Sequence, residues 1–199
     1  MKKYSFKNDY SEGCHPNILE ALIKTNLVQQ NGYGYDDYSA EARALIKQKM
    51  NYPNADIHFV SGGTQANLLI ISSVLRPHES VVSAETGHIF TNETGAIEAT
   101  GHKVHGLVTE DGKLKPEHIQ SVLDTHTNKP HQVKQKLVYI SNSTEVGTIY
   151  TKKELQELSA FCKANDLYLF MDGARLGQAL TSDINDLTLE DIAKLTDVF

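Results

Sequence analysis

A chain of 199 residues, 40% hydrophobic and 22% charged, has the composition of one folded domain, or of a domain and part of another, and excludes a disordered or fibrous polymer. Its formal net charge of −6 leaves no surplus of Lys and Arg for nucleic acid or an anionic membrane surface. Two cysteines, Cys14 and Cys162, are too few for a disulfide framework and read as reduced thiols of a cytoplasmic protein. Lys2 and Lys3 are followed at once by Asn8, Asp9, Ser11 and Glu12, so no signal-peptide core is expected. The apolar runs 68–71 and 167–171 are too short to span a bilayer.

In chain order, residues 16–27 place Ile18, Leu19, Leu22, Ile23 and Leu27 at helical spacing. Gly32-Tyr33-Gly34-Tyr35-Asp36-Asp37 is a glycine-broken loop. A helix is expected over 39–50, with Ala42, Leu45, Ile46 and Met50 inward. Residues 57–60 read as a short strand turned by Ser61-Gly62-Gly63. A helix over 64–75, apolar on most sides and therefore buried, runs to Arg76-Pro77. Then come a strand over 80–84, a helix over 88–99 ended by Thr100-Gly101, a strand over 103–107 and a helix over 115–123. The polar stretch 125–135 reads as a surface loop. A strand over 136–140, a helix over 151–165, a strand over 167–171 and a helix over 189–195 complete the pattern, and 196–199 read as the start of a further strand. A chain stopping as a strand begins reads as a truncation, a split gene product or a fragment. Strand–helix alternation implies an α/β fold, with a mostly parallel sheet covered on both faces and its ligands at the carboxyl ends of the strands.

Three places carry chemistry. In the first, a strand runs into Gly62 and Gly63 and a helix opens at Thr64. Glycine lets the backbone approach an anion, and the unpaired N–H groups of a helix start attract one. The motif lacks the lysine of a P-loop and the spacing of a dinucleotide fingerprint. The alternative is a plain turn with Thr64 as helix cap. In the second, five apolar residues lead into Asp172-Gly173-Ala174-Arg175. A carboxylate at the end of a buried strand needs a cationic partner, and a protonated pyridine nitrogen is one. Arg175 could fork onto a substrate carboxylate, or simply pair with Asp172. In the third, His88 follows a strand, where an imidazole could lie on a cofactor ring or move a proton; it could equally be one of nine surface or structural histidines.

Taken in order, these motifs resemble the fold-type I pyridoxal-phosphate enzymes, and most closely the threonine aldolase / β-eliminating lyase family. The resemblance runs through Asn8-Asp9-Tyr10-Ser11-Glu12-Gly13, His15-Pro16, Gly32-Tyr33-Gly34, residues 61–68, Gly87-His88, Thr94-Gly95-Ala96, Gly101-His102-Lys103-Val104, residues 141–148 and Asp172-Gly173-Ala174-Arg175-Leu176. It implies a three-layer large domain with a mostly parallel sheet, ending before a smaller carboxyl-terminal domain. An amino-terminal arm and helix would occupy 1–30, and an incomplete cofactor-binding domain 31–199.

The resemblance also implies roles. Pyridoxal 5'-phosphate would be held by Gly62, Gly63 and Thr64 at its phosphate, His88 on the ring face and Asp172 at the ring nitrogen. Arg175 and Asn8 would bind the substrate carboxylate. Tyr33 would come from a loop shared across a subunit interface of a homodimer or homotetramer. His131 falls where some relatives have a second histidine near the substrate hydroxyl; its plain reading is a polar loop residue. The substrate would be a β-hydroxy-α-amino acid, L-threonine or L-allo-threonine, split to glycine and acetaldehyde. No partner that is nucleic acid or membrane is expected. The family's Schiff-base lysine lies on a loop after the strand that Asp197-Val198-Phe199 begins. Lys152, Lys153, Lys163 and Lys194 fall in predicted helices and do not match it. The alternatives are a β-eliminating lyase on the same scaffold, or a non-catalytic remnant that binds cofactor.

Overall fold

The computed structural model describes residues 3–128 and 131–199, and the chain divides into two units, Met1–Ala42 and Arg43–Phe199. In the first unit, α1 (Pro16–Thr25) starts with proline at a position where the missing N–H costs nothing, and the His15 imidazole accepts the Asn17 N–H at 3.2 Å. None of its residues is buried; Ile18, Leu19, Leu22 and Ile23 are all at least half exposed. α2 (Asp37–Met50) begins within this unit and ends in the second. Of its four residues expected to face inward, Met50 alone is buried, while Leu45 and Ile46 are exposed.

The second unit is built on a four-stranded parallel sheet of β1 (Glu79–Ala84), β2 (Lys103–Leu107), β3 (Lys134–Ser141) and β4 (Tyr168–Asp172), in the order β2-β1-β3-β4. Strand side chains alternate between faces. Val82, Val138, Ile140, Leu169 and Met171 therefore form one core with Ile119 of α5 (Pro116–Thr125), Leu155 and Leu158 of α6 (Lys152–Ala164) and Ile192 of α8 (Leu189–Leu195). Val81, Leu137, Tyr139 and Phe170 point the other way and pack with Ile71 and Leu75, from and just beyond α3 (Gly63–Val74). These are the three layers expected of the fold class. Successive strands run to one side from β1 to β2 and then to the other side at β3, so the order reverses beside β1. Parallel sheets open their ligand crevice at the carboxyl ends around such a reversal.

Several expectations need correction. Residues 57–60 form no strand among the described residues, and Phe59 and Val60 are 51% and 41% exposed. A strand exists only by its hydrogen-bonded neighbour, and none lies alongside. The helix expected over 88–99 is a single turn, α4 (His88–Thr91), then a 3-10 turn at Glu98–Thr100. Thr94 and Gly95 between them have φ of 51° and 77°, the left-handed region that ends a helix. α3 is buried along one face only, through Asn67 and Ile71, and Leu69 is half exposed. α7 (Leu176–Leu180), a short helix after β4, was not foreseen. The start of a further strand is present: Val198 bridges Phe170 in parallel, and its carbonyl accepts the Met171 N–H at 3.0 Å.

Lys152, Lys153 and Lys163 lie on α6 and Lys194 on α8. Lys152 pairs with Asp191 at 2.7 Å, and Lys153 and Lys194 pair along their own helices with Glu157 and Glu190. Among the described residues no helix is long and apolar enough to cross a membrane.

Burial pushes the Cys162 thiol up to about 12, whereas Cys14 is exposed. Brief treatment of the native protein with a thiol-specific alkylating agent is expected to modify Cys14 and spare Cys162, with both reacting in denaturant; peptide mass spectrometry reads the result.

Candidate active site

The site is assembled where β1, β3 and β4 end. Asp172 is the last residue of β4, in register with Ser141 at the end of β3. It lies on the face that carries Tyr139 and Phe170, towards α3. Its Oδ2 accepts the Tyr139 hydroxyl at 2.7 Å and an Asn67 amide hydrogen at 3.3 Å, and its Oδ1 accepts the Ala174 N–H at 2.9 Å. These three bonds fix the carboxylate at the strand end, and two carboxylate oxygens together offer about four lone-pair sites.

Asn67 is 1% exposed on α3. Its Nδ2 also donates to Glu93 Oε1 at 2.7 Å. The same Oε1 lies 3.0 Å from His88 Nδ1. The Glu93 side chain is 1% exposed and that of His88 is 45% exposed, so a buried carboxylate backs a half-open imidazole. Gly87 sets this turn close against the sheet, because a Cβ there would collide with Ser83 Oγ. The His88 N–H donates to Glu145 Oε1 at 3.0 Å, and Ser141 Oγ donates to the same oxygen at 2.6 Å. A longer contact of 3.5 Å from Ser141 Oγ to the Tyr139 hydroxyl closes a ring: Asp172, Asn67, Glu93, His88, Glu145, Ser141, Tyr139. Three of its members are carboxylates, which suits a cationic guest.

Four residues before Asn67, the start of α3 is open. Gly62 is the N-cap, no side chain caps it, and a Cβ on Gly62 or Gly63 would meet nothing within 4 Å. The cap is thus Gly62, and Thr64 lies inside the first turn. Unpaired N–H groups beside free space suit a phosphate, and an acceptor at Asp172 suits a protonated ring nitrogen; the residues present fit pyridoxal 5'-phosphate.

Of the residues singled out in the sequence, the structure brings His88 and Asp172 into one hydrogen-bond ring and sets Gly62, Gly63 and Thr64 on the helix that joins them. Arg175 is exposed at the N-cap of α7, three residues past Asp172. His131 is not brought to this site. It is exposed, its N–H bonds the Asn128 carbonyl, and it precedes Lys134, which pairs with Glu79 at the opposite edge of the sheet from Ser141 and Asp172. An eight-residue strand separates those edges by roughly 20 Å. Asn8 and Tyr33 belong to the first unit. There Asn8 Oδ1 accepts the Tyr10 N–H at 3.3 Å, and Tyr33 is fully exposed with φ of 62°.

Asn67, Glu93 and Tyr139 escaped the sequence reading. The signal available was a polar residue on an otherwise apolar helix face at Asn67, and a hydroxyl in a core strand at Tyr139. Glu93 gave only its spacing, four residues from each of Ile89 and Ile97 on one face of the expected helix.

Burial, and next the Asp172 charge, raise the Tyr139 phenol far above its ordinary value; burial does the same for Tyr150. Both stay protonated, so Tyr139 remains a donor to Asp172. A raised folded pKa leaves stability unaffected below the unfolded value of about 10 and lowers it as pH rises beyond. Urea unfolding followed above about pH 10 is expected to lose about 1.4 kcal/mol per pH unit for each of these two tyrosines, and Tyr139→Phe to remove one share of that slope.

Comparison with known proteins places these features in context. The beta-eliminating lyase family model matches residues 9–199. The low specificity L-threonine aldolase of Pseudomonas aeruginosa is 34% identical over 180 residues, covering 87% of this chain and 50% of that protein. A solved structure of Leishmania major threonine aldolase superposes with a TM-score of 0.96 at 56% identity, covering 98% of this chain and 57% of that one. An archaeal alanine:glyoxylate aminotransferase, 18% identical, shares the fold at a TM-score of 0.64 over 92% of this chain and 45% of its own. The chain spans about half the length of the curated threonine aldolases it matches most strongly.

Proposed function

This chain belongs to the beta-eliminating lyase family, and we propose that its site serves a pyridoxal 5'-phosphate-dependent aldehyde lyase, which cleaves L-threonine or L-allo-threonine to glycine and acetaldehyde. The observation that carries this reading is the setting of Asp172, a strand-end carboxylate held in place by the neutral donors Tyr139 and Asn67. The threonine aldolase relatives favour carbon–carbon cleavage over elimination.

When bound, the cofactor supplies an electron sink for the charge left on the substrate α-carbon as the Cα–Cβ bond breaks. The chain's own residues orient and neutralise. The N–H groups opening α3, with the Thr64 hydroxyl, receive the phosphate at Gly62 and Gly63. Asp172 keeps the ring nitrogen protonated, because a carboxylate fixed in a partly buried site stabilises the adjacent cation. His88 presents its imidazole beside the ring and takes the proton of the substrate's β-hydroxyl at Nε2. Arg175 holds the substrate carboxylate in a fork that lysine could not match.

The protein as its gene encodes it is expected to release acetaldehyde and glycine in equal amounts from L-threonine or L-allo-threonine with pyridoxal phosphate present. Pyruvate from serine or cysteine, without aldehyde from threonine, would overturn the assignment in favour of elimination. Asp172→Asn is expected to lower kcat by roughly 100-fold or more, the scale of losing one preorganised charge contact.

A further inference from the structure

We propose that Glu93 is a positioning residue that fixes the tautomer of His88, holding the proton on Nδ1 and leaving Nε2 as the open lone pair of the site. Its bearing on catalysis rests on the function proposed above; the geometry does not.

Glu93 Oε1 accepts from Asn67 Nδ2 at 2.7 Å, and an ionised carboxylate has only lone pairs to offer a second partner. His88 Nδ1 sits 3.0 Å from that oxygen and must be the donor. In a neutral imidazole, a proton on Nδ1 leaves Nε2 without one. The His88 side chain is 45% exposed while its Glu93 partner is 1% exposed, so Nδ1 faces the interior and Nε2 the open side. An imidazole so held can take a proton from a hydroxyl and cannot donate one until it has done so.

Two features argue against Glu93 as mere packing. Its Oε2 is buried with no hydrogen-bond partner among the described residues, a cost that an apolar side chain of similar size would not carry. Glu93 also lies outside the helix, which ends at Thr91, in the turn that leads to the left-handed Thr94 and Gly95 and sets this carboxylate inward. Asn67 extends the effect, since the amide nitrogen that holds Glu93 also reaches Asp172 at 3.3 Å.

The test is long-range proton–nitrogen correlation NMR on histidine-labelled, cofactor-free protein, at a pH above the imidazole range, with His88 assigned by its loss in His88→Asn. Wild type is expected to show His88 with its proton on Nδ1. Glu93→Leu is expected to lose most of that form, with the proton moving to Nε2. A wild-type His88 protonated on Nε2 would overturn the proposal, even if Glu93→Leu failed to fold, and so would a folded Glu93→Leu protein that kept the Nδ1 form. The measurement needs neither cofactor nor substrate, so loss of the aldolase assignment in the substrate panel leaves it intact. In the full gene product, Glu93→Leu is expected to lower kcat about 100-fold with KM changed far less; an unchanged kcat would detach the tautomer from the reaction.

Discussion

One amide nitrogen stands between two carboxylates. Asn67 Nδ2 lies 2.7 Å from Glu93 and 3.3 Å from Asp172. Bare carboxylates brought together below the surface repel, and each would pull protons from solvent to relieve the repulsion. A neutral donor between them removes that pressure without adding a charge of its own. Arginine or lysine at this position would neutralise Asp172 and compete with any cationic ring nitrogen for it. Tyr139 does the same work from the other side: its phenol is held protonated by burial, so it gives a hydrogen bond and no charge. The result is an Asp172 that these two donors fix in place without adding a charge.

The sheet makes this arrangement possible. Tyr139 of β3 and Asp172 of β4 share a face because strand side chains alternate and the two strands pair in register, Tyr139 with Phe170 and Ser141 with Asp172. Displacing β4 by one residue would send Asp172 to the face of Leu155 and Ile192, where it would meet an apolar core. The interleaved apolar residues on both faces of β4 oppose such a shift. Core packing and site geometry are therefore one constraint.

Much of this was legible in the residues, for reasons of period. β1, β2 and β4 and the helices α6 and α8 stand within two residues of where their patterns put them, since short apolar runs and capping residues such as Thr151 and Thr188 carry local information. The Gly62–Thr64 turn, His88 and Asp172 were legible because each couples a reactive residue to an element boundary. What stayed hidden depends on distant partners. Residues 57–60 have a strand's composition and no neighbour to pair with. Glu93 falls within the helix expected over 88–99, which ends at Thr91, and the turn that follows is what brings it to Asn67 and His88. His131 rests on likeness alone, in a stretch without apolar rhythm, and the sheet's direction sets it near the amino-terminal end of β3, away from Ser141 and Asp172. Asn67 bonds Asp172 across 105 residues of chain, a pairing that no local pattern announces.

The two glycine turns of the site differ in what they ask of the fold. Gly87 has no room: any side chain there would meet Ser83, so its smallness serves the protein itself. Gly62 has room on every side and an extended φ of 175° that any residue can adopt. Nothing in the polypeptide's own packing demands a glycine at that position. On the function proposed above, the space beside Gly62 is where the phosphate would sit: a lesion at Gly87 would register as lost folding, and one at Gly62 as weaker cofactor binding in a protein that folds as well as before.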